Sequence, residues 1–527
     1  MATDDTPGSW PSAAHIRSAG GDFRVAEAEL AAANSSRDPE RIAVAASRHF
    51  WPLLTQWPSD LESILASLPD VTLARHPILA ALHPMAATLG VAEPPAVDRT
   101  TDDTAKRLQY LGVKMIAARR RGDLAAATGA ADRLAATLSV PRVPSIAIAR
   151  GAIPFTFAQI SMTRLLAGDT LAALRAGMAA RHLAEHDPAS PVTRFALALT
   201  ALAHAVRGSL AEAELALAQG QERPLGARWF AASTRAAERV TLELVGIERA
   251  DPEAIQSLQG GDWNAEAGEF WPLALLARAR AAILRGVPAD ALELVCVTVD
   301  APAPQGMVAD VSISQRIEAH LALHDMAGAR ALAGQVRAPG LLTCVALAKV
   351  HLVGGDPARA LAELRRLSAA HTLPPAQREE IQLLGVWIRA DLSGSLDAAD
   401  ASAVARLVEG TARRRLLSVT LPVHVREAVE VHLRDDELAL FRRSLKPLPA
   451  LRNESSPPPL SRSELRVLQT MVERASVDDI AQSLFVSRNT VKTQLRAVYR
   501  KLGVHSREEA IAAAIRWSLL DDPRPRR

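Results

Sequence analysis

Cysteine and tyrosine each occur only twice in these 527 residues, and aromatic residues make up 4% of the chain. Cys296 and Cys344 lie far apart in apolar segments, whereas a secreted disulfide framework uses more cysteines; free buried thiols in a reducing cytoplasm are expected. No basic stretch followed by an apolar core opens the chain at Met1 to Pro7, so no signal peptide is expected. No run approaches the length of a bilayer span without charges or prolines. The expectation is a cytoplasmic protein that makes no membrane contact. Two nucleotide and signalling modules are also missing. There is no Gly-x-x-x-x-Gly-Lys-Ser/Thr to cradle a triphosphate. Nor does a hydrophobic β-run ending in paired acids stand near the start, as a phosphate-accepting strand and helix module requires. Neither cofactor nor metal is expected.

What is present is alanine, leucine and arginine, a helical composition. Because alanine is the strongest helix former, nearly every segment reads as helix and the argument must rest on spacing. The length calls for about two to four units. After residues 1–12, read as disordered, one pattern returns between residues 13 and 445: Gly, often followed by Asp or Ser, with Ala five positions after the Gly. It occurs at Gly21-Asp22 with Ala26, Gly122-Asp123 with Ala127, Gly168-Asp169 with Ala173, Gly208-Ser209 with Ala213, Gly286 with Ala291 and Gly355-Asp356 with Ala360. His324-Asp325 with Ala329 is a degenerate copy. A Gly that ends one helix in a left-handed conformation, an acid or hydroxyl that caps the next and a small residue that lets the two approach describe a helical hairpin. From Gly122 onward, intervals of about 31 to 46 residues, with one near twice that, suit stacked helix pairs. The expected fold is therefore all-α: a solenoid of helical hairpins, then a separate small domain. Lys446 to Pro459 is rich in proline and reads as a linker.

Charge is unevenly placed. The chain carries a net +3, yet residues 460–520 hold ten Lys or Arg against six Asp or Glu, and the small tail 521–527 is also net basic, so the first 459 residues are slightly acidic. Within Ser487 to Lys501 there is no acid at all, and Arg488, Lys492, Arg496 and Arg500 recur at every fourth position with Lys501 beside them. These fall on one helical face, while Val491, Leu495, Val498 and Leu502 form an apolar stripe on the other. A solvated surface helix is the plain alternative, but such faces usually mix signs. Stacked cations without local partners point to an external polyanion, and the phosphates of duplex DNA reward each contact by counterion release. Upstream, Ser476 can cap a short helix with Asp478 and Asp479 in its first turn, and Ser487 can cap the basic one. Two short helices, the second basic, make a helix-turn-helix.

Leu460-Ser-x-x-Glu464-x-x-Val467-Leu468, Ile480-Ala481-x-x-Leu484-x-Val486-Ser487-x-x-Thr490-Val491-Lys492-Thr493 and Tyr499-x-Lys501-Leu502-Gly503-Val504-x-Ser506-Arg507 together resemble the LuxR-type (GerE-like) C-terminal DNA-binding domain. The resemblance implies a four-helix domain over 460–520 whose basic helix enters the major groove of double-stranded DNA. Lys492, Thr493 and Arg496 match the base-contacting positions, and Ser487, Arg488, Thr490, Arg500 and Lys501 would hold phosphates. The chemistry agrees, since Arg and Lys donate to guanine and a Thr methyl rests on a thymine methyl. Ser463, Arg474 and Gln494 depart from the family's usual Arg, Gly and His, and Val477-Asp478-Asp479 replaces its common Asn-Lys-Glu. Those changes bear on backbone clamping. The last helix, Glu508 to about Leu519, opens with a capping-box sequence at Ser506 to Glu509. In the family the corresponding helix pairs two domains on DNA, which makes Ile511, Ala514 and Ile515 candidates for a homodimer contact; packing against the domain's own core is the other reading.

The arm resembles known families more loosely. Its hairpins are similar to tetratricopeptide repeats without most of their aromatic positions. Leu65-Ala-Ser-Leu68-Pro69 through Leu73, Pro77 and Leu79 looks like the repeat region of large MalT-like regulators, here without their ATPase module. This layout implies a transcriptional regulator, not an enzyme, whose arm receives a small-molecule or protein effector and whose output reaches RNA polymerase. Trp51, Trp57, Trp263, Trp271 and Trp387 could line a binding surface, but such residues more often belong to the core. His182-Leu-Ala-Glu185-His186 has the form of an inverted zinc-protease motif, but Asp187-Pro188 ends its helix and no third ligand stands out. A helical scaffold whose C-terminal domain no longer binds DNA is the alternative from another class.

Overall fold

The computed structural model describes residues 22–50, 53, 58–82, 104–138, 152–185, 190–225, 228–258, 262–299, 304–370, 373–393, 396–411, 421–445, 462–474, 476–484, 486–502, 504, 506–516 and 519–520. All regular structure among them is helical. The N-terminal segment, the Pro-rich linker, Gly21, Trp51, Trp57, His186 and the tail lie outside the described residues.

Five short helices come first: α1 (Asp22–Ser36), α2 (Pro39–Arg48), α3 (Pro58–Ser67), α4 (Asp70–Arg75) and α5 (Pro77–Leu82). Pro69 and Pro77 of the early Leu-Pro stretch sit at helix starts, where a missing amide hydrogen costs nothing, and Leu65, Leu68, Leu73 and Leu79 are buried. Hairpins follow, each an inner helix and an outer one: α6 (Thr104–Arg120) with α7 (Leu124–Leu138), α8 (Ala152–Leu166) with α9 (Thr170–Ala184), α10 (Pro191–Arg207) with α11 (Leu210–Gln221), and α12 (Arg228–Arg249) with α13 (Pro252–Ser257). After the short α14 (Trp263–Ala267) come α15 (Trp271–Leu284) with α16 (Pro288–Thr298), α17 (Gly306–Ala322) with α18 (Met326–Gln335), α19 (Leu341–Val353) with α20 (Pro357–Ala370), and α21 (Pro375–Ser393) with α22 (Ala398–Thr411). The arm ends with α23 (Val423–Glu430) and α24 (Asp435–Leu445).

One turn chemistry makes these hairpins. At Gly122, Gly168, Gly208, Gly286, His324 and Gly355 the backbone is left-handed. Each of these residues donates its amide to the carbonyl three residues back, and the following residue donates to the carbonyl five back, as in Gly168 to Leu165 and Asp169 to Arg164. That pair of bonds satisfies the last free carbonyls of the inner helix. Asp123, Asp169, Asp325 and Asp356 then accept the amide of Ala126, Ala172, Gly328 and Arg359 at 2.9–3.0 Å and cap the outer helix, each cap contributing about 1 kcal/mol. The alanines at the fifth position, Ala127, Ala173, Ala213, Ala291, Ala329 and Ala360, have no exposed surface.

The doubled interval between Gly208 and Gly286 is filled by a turn with no glycine. Ala250 is left-handed (φ 53°), it and Asp251 make the same two backbone bonds, Asp251 caps α13, and Ile255 takes the buried fifth position. Spacing by glycine could not find it.

The inner helices α6, α8, α10, α12, α15, α17, α19 and α21 form a column in which each touches the next. The column winds, so that α17 meets α8 and α21 meets α10. Gly208 shows how tight the second closure is: a Cβ there would lie 2.7 Å from Ala376 Cβ and 2.9 Å from its amide nitrogen. In the middle of the column every residue of α15 except Trp271 and Arg280 is buried, Arg278 included, so this helix is covered on nearly all sides. Ion pairs run across the column: Arg119 with Glu269 (2.7 Å), Arg194 with Glu238 (2.8 Å), Arg280 with Glu248 (2.7 Å), and Lys349 with both Glu318 (2.9 Å) and Glu380 (2.6 Å). Arg119 also donates to Gln159 Oε1 and Thr163 Oγ1, so its buried charge is paired and fully engaged.

One expectation changes. Cys296 and Cys344 are free, but Cys296 is exposed and Cys344 only partly buried; the first stands on outer helix α16, where an apolar-looking run still has a solvent side. Burial, with Asp310 and Glu363 adding to it, pushes the Cys344 thiol up to about 11. Three described tryptophans serve the core, as expected: Trp387 is buried among α19–α24, Trp271 packs against the main core, and Trp263 lies partly buried with the Arg278 guanidinium 5.3 Å from its ring centre. His182 lies in the last turn of α9, which ends at Ala184.

Candidate nucleic-acid interface

The last described unit has four helices: α25 (Arg462–Glu473), α26 (Val477–Leu484), α27 (Arg488–Leu502) and α28 (Arg507–Arg516). Its core is its own, built from Val467, Leu468 and Met471 of α25, Ile480 and Ala481 of α26, Val491 and Val498 of α27, Val504, and Ala510 and Ala514 of α28. Three serines start three of the helices. Ser476, Ser487 and Ser506 each accept the amide three residues on, from Asp479, Thr490 and Glu509, at 3.1 Å. The Ser476 hydroxyl also donates to the Asp479 carboxylate (2.7 Å), and the Ser487 and Thr490 hydroxyls bond each other at 2.8 Å.

The apolar stripe of α27 does what its spacing foretold. Val491 and Val498 have no exposed surface, and Leu495 and Tyr499 pack against the same core. Burying the two valines contributes about 1.5–3 kcal/mol each, which fixes the rotation of α27 about its axis. Lys492, Thr493 and Arg496 therefore stand exposed on the outward face, and among the described residues neither Lys492 nor Arg496 has an acidic partner. Thr493 donates its hydroxyl to the Asn489 carbonyl at 2.9 Å. Gln494, at the departure from the family's His, is only partly exposed.

Of the residues expected at phosphates, Ser487, Arg488 and Thr490 are exposed at the start of α27. The side chains of Arg500, Lys501 and Leu502 lie outside the described residues. Contrary to the expectation of a cationic face without local partners, Arg488 pairs with Asp478 of α26 at 3.1 Å, both side chains being more than half exposed. The acid stands in the neighbouring helix, which a count within α27 alone does not include.

Spacing also missed Arg507. It begins α28 and donates to the carbonyls of Met471 and Arg474 at the end of α25, so the first and last helices are tied together by a charged donor on free helix-end carbonyls. The Tyr499 hydroxyl donates to Met471 Sδ at 3.9 Å on the same side, and burial raises its pKa. Arg474, where a Gly is usual, keeps its amide on the Thr470 carbonyl (3.0 Å) and is not left-handed; no glycine is needed there. In α28, Ala514 has no exposed surface and Ile511 is partly buried against the domain's own core, while the Ile515 side chain lies outside the described residues.

Such a fold, with its second and third helices joined by a short turn and the third presenting cations, defines the class of helix-turn-helix DNA-binding domains. Residues 458–514 match the family model described as bacterial regulatory proteins, luxR family. Over 73 residues, 14% of the chain, it is 41% identical to "Probable transcriptional regulatory protein NarL" of Mycobacterium tuberculosis, 34% of which is covered. Over 110 residues it is 32% identical to "Uncharacterized transcriptional regulatory protein YxjL" of Bacillus subtilis, covering 50% of that protein and 19% of this one. To "Spore germination protein GerE" of Bacillus subtilis it is 32% identical over 66 residues, 89% of that protein and 12% of this chain. Through its C-terminal domain the chain belongs to the LuxR family of bacterial regulatory proteins. It spans about a third to a half of the length of NarL and YxjL, and the likeness to all three covers less than a fifth of this chain. No described helix is long and apolar enough to cross a membrane.

Proposed function

We propose that this chain is a sequence-specific, DNA-binding transcriptional regulator, not an enzyme, in which α27 reads the major groove and the helical arm of residues 13–445 receives an effector. One observation carries it: the buried valines hold α27 so that Lys492, Thr493 and Arg496 face away from the domain, with no acid among the described residues opposing the two cations. In this reading Lys492, Thr493 and Arg496 contact base edges, and Ser487, Arg488, Thr490, Arg500 and Lys501 contact phosphates. Arg488 exchanges Asp478 for a phosphate on binding. The arm is tetratricopeptide-like and the layout MalT-like without a nucleotide switch, with residues 446–459 as the linker. On DNA two copies pair through α28, with the partly exposed Ile511 as the contact; Ala514, inside its own core, seats the helix. RNA polymerase is the downstream partner.

The test is selection of bound fragments from random duplex DNA by the full chain. A recurrent motif with two half-sites about one helical turn apart supports the reading; recovery of no enriched sequence refutes it and favours the scaffold alternative.

A further inference from the structure

The arm matches its buried cations with acids, with one exception. Among its described residues the buried cations are Arg119, Arg207, Arg278 and Lys349. Arg119 meets Glu269, Arg278 meets Glu243, and Lys349 meets Glu318 and Glu380. Arg207, 8% exposed, has no acidic partner among the described residues; its hydrogen bond there runs from Nη1 to the Thr170 hydroxyl at 3.2 Å. A buried charge without a counter-charge is costly. Arg207 ends α10, where the helix dipole favours a cation, but its guanidinium reaches Thr170, the first residue of α9, where the dipole favours an anion.

Two more guanidiniums gather at this seam. Arg175 lies on α9, and Arg378 follows shortly after Ala376 on α21, whose Cβ and amide nitrogen would be 2.7 and 2.9 Å from a Cβ on Gly208, the residue after Arg207. Both are exposed, and among the described residues neither has an acidic partner; Arg378 donates to the Leu373 carbonyl (3.1 Å). Burial lowers the pKa of Arg207, and the charges of Arg378 and Arg175 lower it further. Asp169 opposes them, but its Oδ1 accepts the Ala172 amide as the cap of α9. α9 and α10 contain no acid. On α21 Glu380 is engaged with Lys349, and Glu379 pairs with none of the three arginines.

We propose that this seam binds a phosphate dianion, free or as the head of a phosphomonoester, seated on Arg207 and held between Arg175 and Arg378. A guanidinium presents parallel N–H donors that match phosphate oxygens, and Nε and Nη2 of Arg207 have no protein acceptor among the described residues. The site is at the surface, flanked by two exposed arginines, and needs no enclosed cavity. An anion bound there joins α9 and α10 to α21 and so tightens the closure at Gly208 and Ala376. As an effector site it rests on the reading of the arm as a receiver.

The experiment is calorimetric titration of the full chain, at fixed ionic strength, with sodium phosphate, glycerol 3-phosphate and sodium acetate. Saturable one-to-one binding of at least one of the two phosphates is expected, with acetate much weaker. Tighter binding of glycerol 3-phosphate assigns the ester, and equal or tighter binding of inorganic phosphate assigns the free ion; either supports the site. Arg207→Met should weaken binding about 10-fold. The exposed changes Arg175→Gln and Arg378→Gln should each weaken it about 3-fold, and they decide the matter if Arg207→Met does not fold. Lys492→Ala combined with Arg496→Ala should leave it unchanged. Binding of neither phosphate, acetate binding as tightly as phosphate, affinity unmoved by Arg207→Met or by both exposed variants, or loss of binding in the α27 double variant overturns the proposal. Duplex DNA binding by the same preparation separates the two readings: DNA binding without phosphate binding removes only the ligand assignment, whereas phosphate binding by a chain that ignores DNA removes the regulator reading and leaves the anion site.

Discussion

Replacing Lys349 with Met should loosen three inner helices of the arm at once. Its side chain is 6% exposed, and its ammonium lies 2.9 Å from a Glu318 oxygen and 2.6 Å from a Glu380 oxygen, and so joins inner helices α17, α19 and α21. At an effective dielectric of about 20 each contact is an attraction of roughly 6 kcal/mol, against a desolvation penalty of several kcal/mol per ion. Methionine fills the stem's volume but leaves two buried carboxylates facing each other. Removing one partner of a buried pair costs about 3–5 kcal/mol. Burial by itself lowers the pKa of this lysine, but the two glutamates outweigh it and the net shift is upward from 10.5. A folded value above the unfolded one means the contribution is complete below pH 10.5 and is lost only as pH rises through the folded value. The assay is hydrogen exchange followed by mass spectrometry with a thermal melt at neutral pH. The variant should exchange faster across α17, α19 and α21, with α25–α28 unchanged. Adding Glu318→Gln and Glu380→Gln should restore most of the loss, since no unpaired charge remains. An unaltered exchange pattern in the single variant, or a triple variant worse than the single, would refute the reasoning.

Three further outcomes follow from the same geometry. Ala213→Leu inserts three carbons where no surface is exposed and should destabilise by about 1–3 kcal/mol, whereas Leu215→Ala on the same helix, at 60% exposure, should change the melting point little; equal effects contradict the assigned faces. Arg37 is left-handed (φ 54°) and exposed, so Arg37→Gly should stabilise by about 0.5–1 kcal/mol, read from denaturant midpoints; a loss of stability would count against the turn geometry. Asp478→Asn removes an exposed pair worth less than about 1 kcal/mol, leaving the domain's melt nearly unchanged while frees Arg488 for DNA, which at low salt should tighten binding roughly two- to fivefold; weaker binding would refute that exchange.

Much of the arm could be read from local chemistry. A left-handed residue, a capping acid and a buried alanine are short-range requirements, so they leave a mark of fixed spacing in the sequence. The mark fails at Ala250 and Arg37, where the turn is enforced without glycine. Nothing in the spacing could show that α21 returns to α10, because the winding depends on contacts between residues about 170 positions apart, such as Gly208 and Ala376. In the C-terminal domain the valine stripe and the serine caps were plain, and with them the outward face of Lys492, Thr493 and Arg496. The Arg488 pair and the Arg507 clamp were not, since each joins two different helices.

The most direct measurement is fluorescence anisotropy of the full chain on a selected duplex and on a scrambled one, from 50 to 300 mM salt. The account predicts binding that weakens steeply with salt, about 0.9 in logarithmic slope for each phosphate neutralised, with Lys492→Ala and Arg496→Ala each erasing the preference for the selected duplex. Binding of neither duplex at the lowest salt, or a preference untouched by both substitutions, would contradict it.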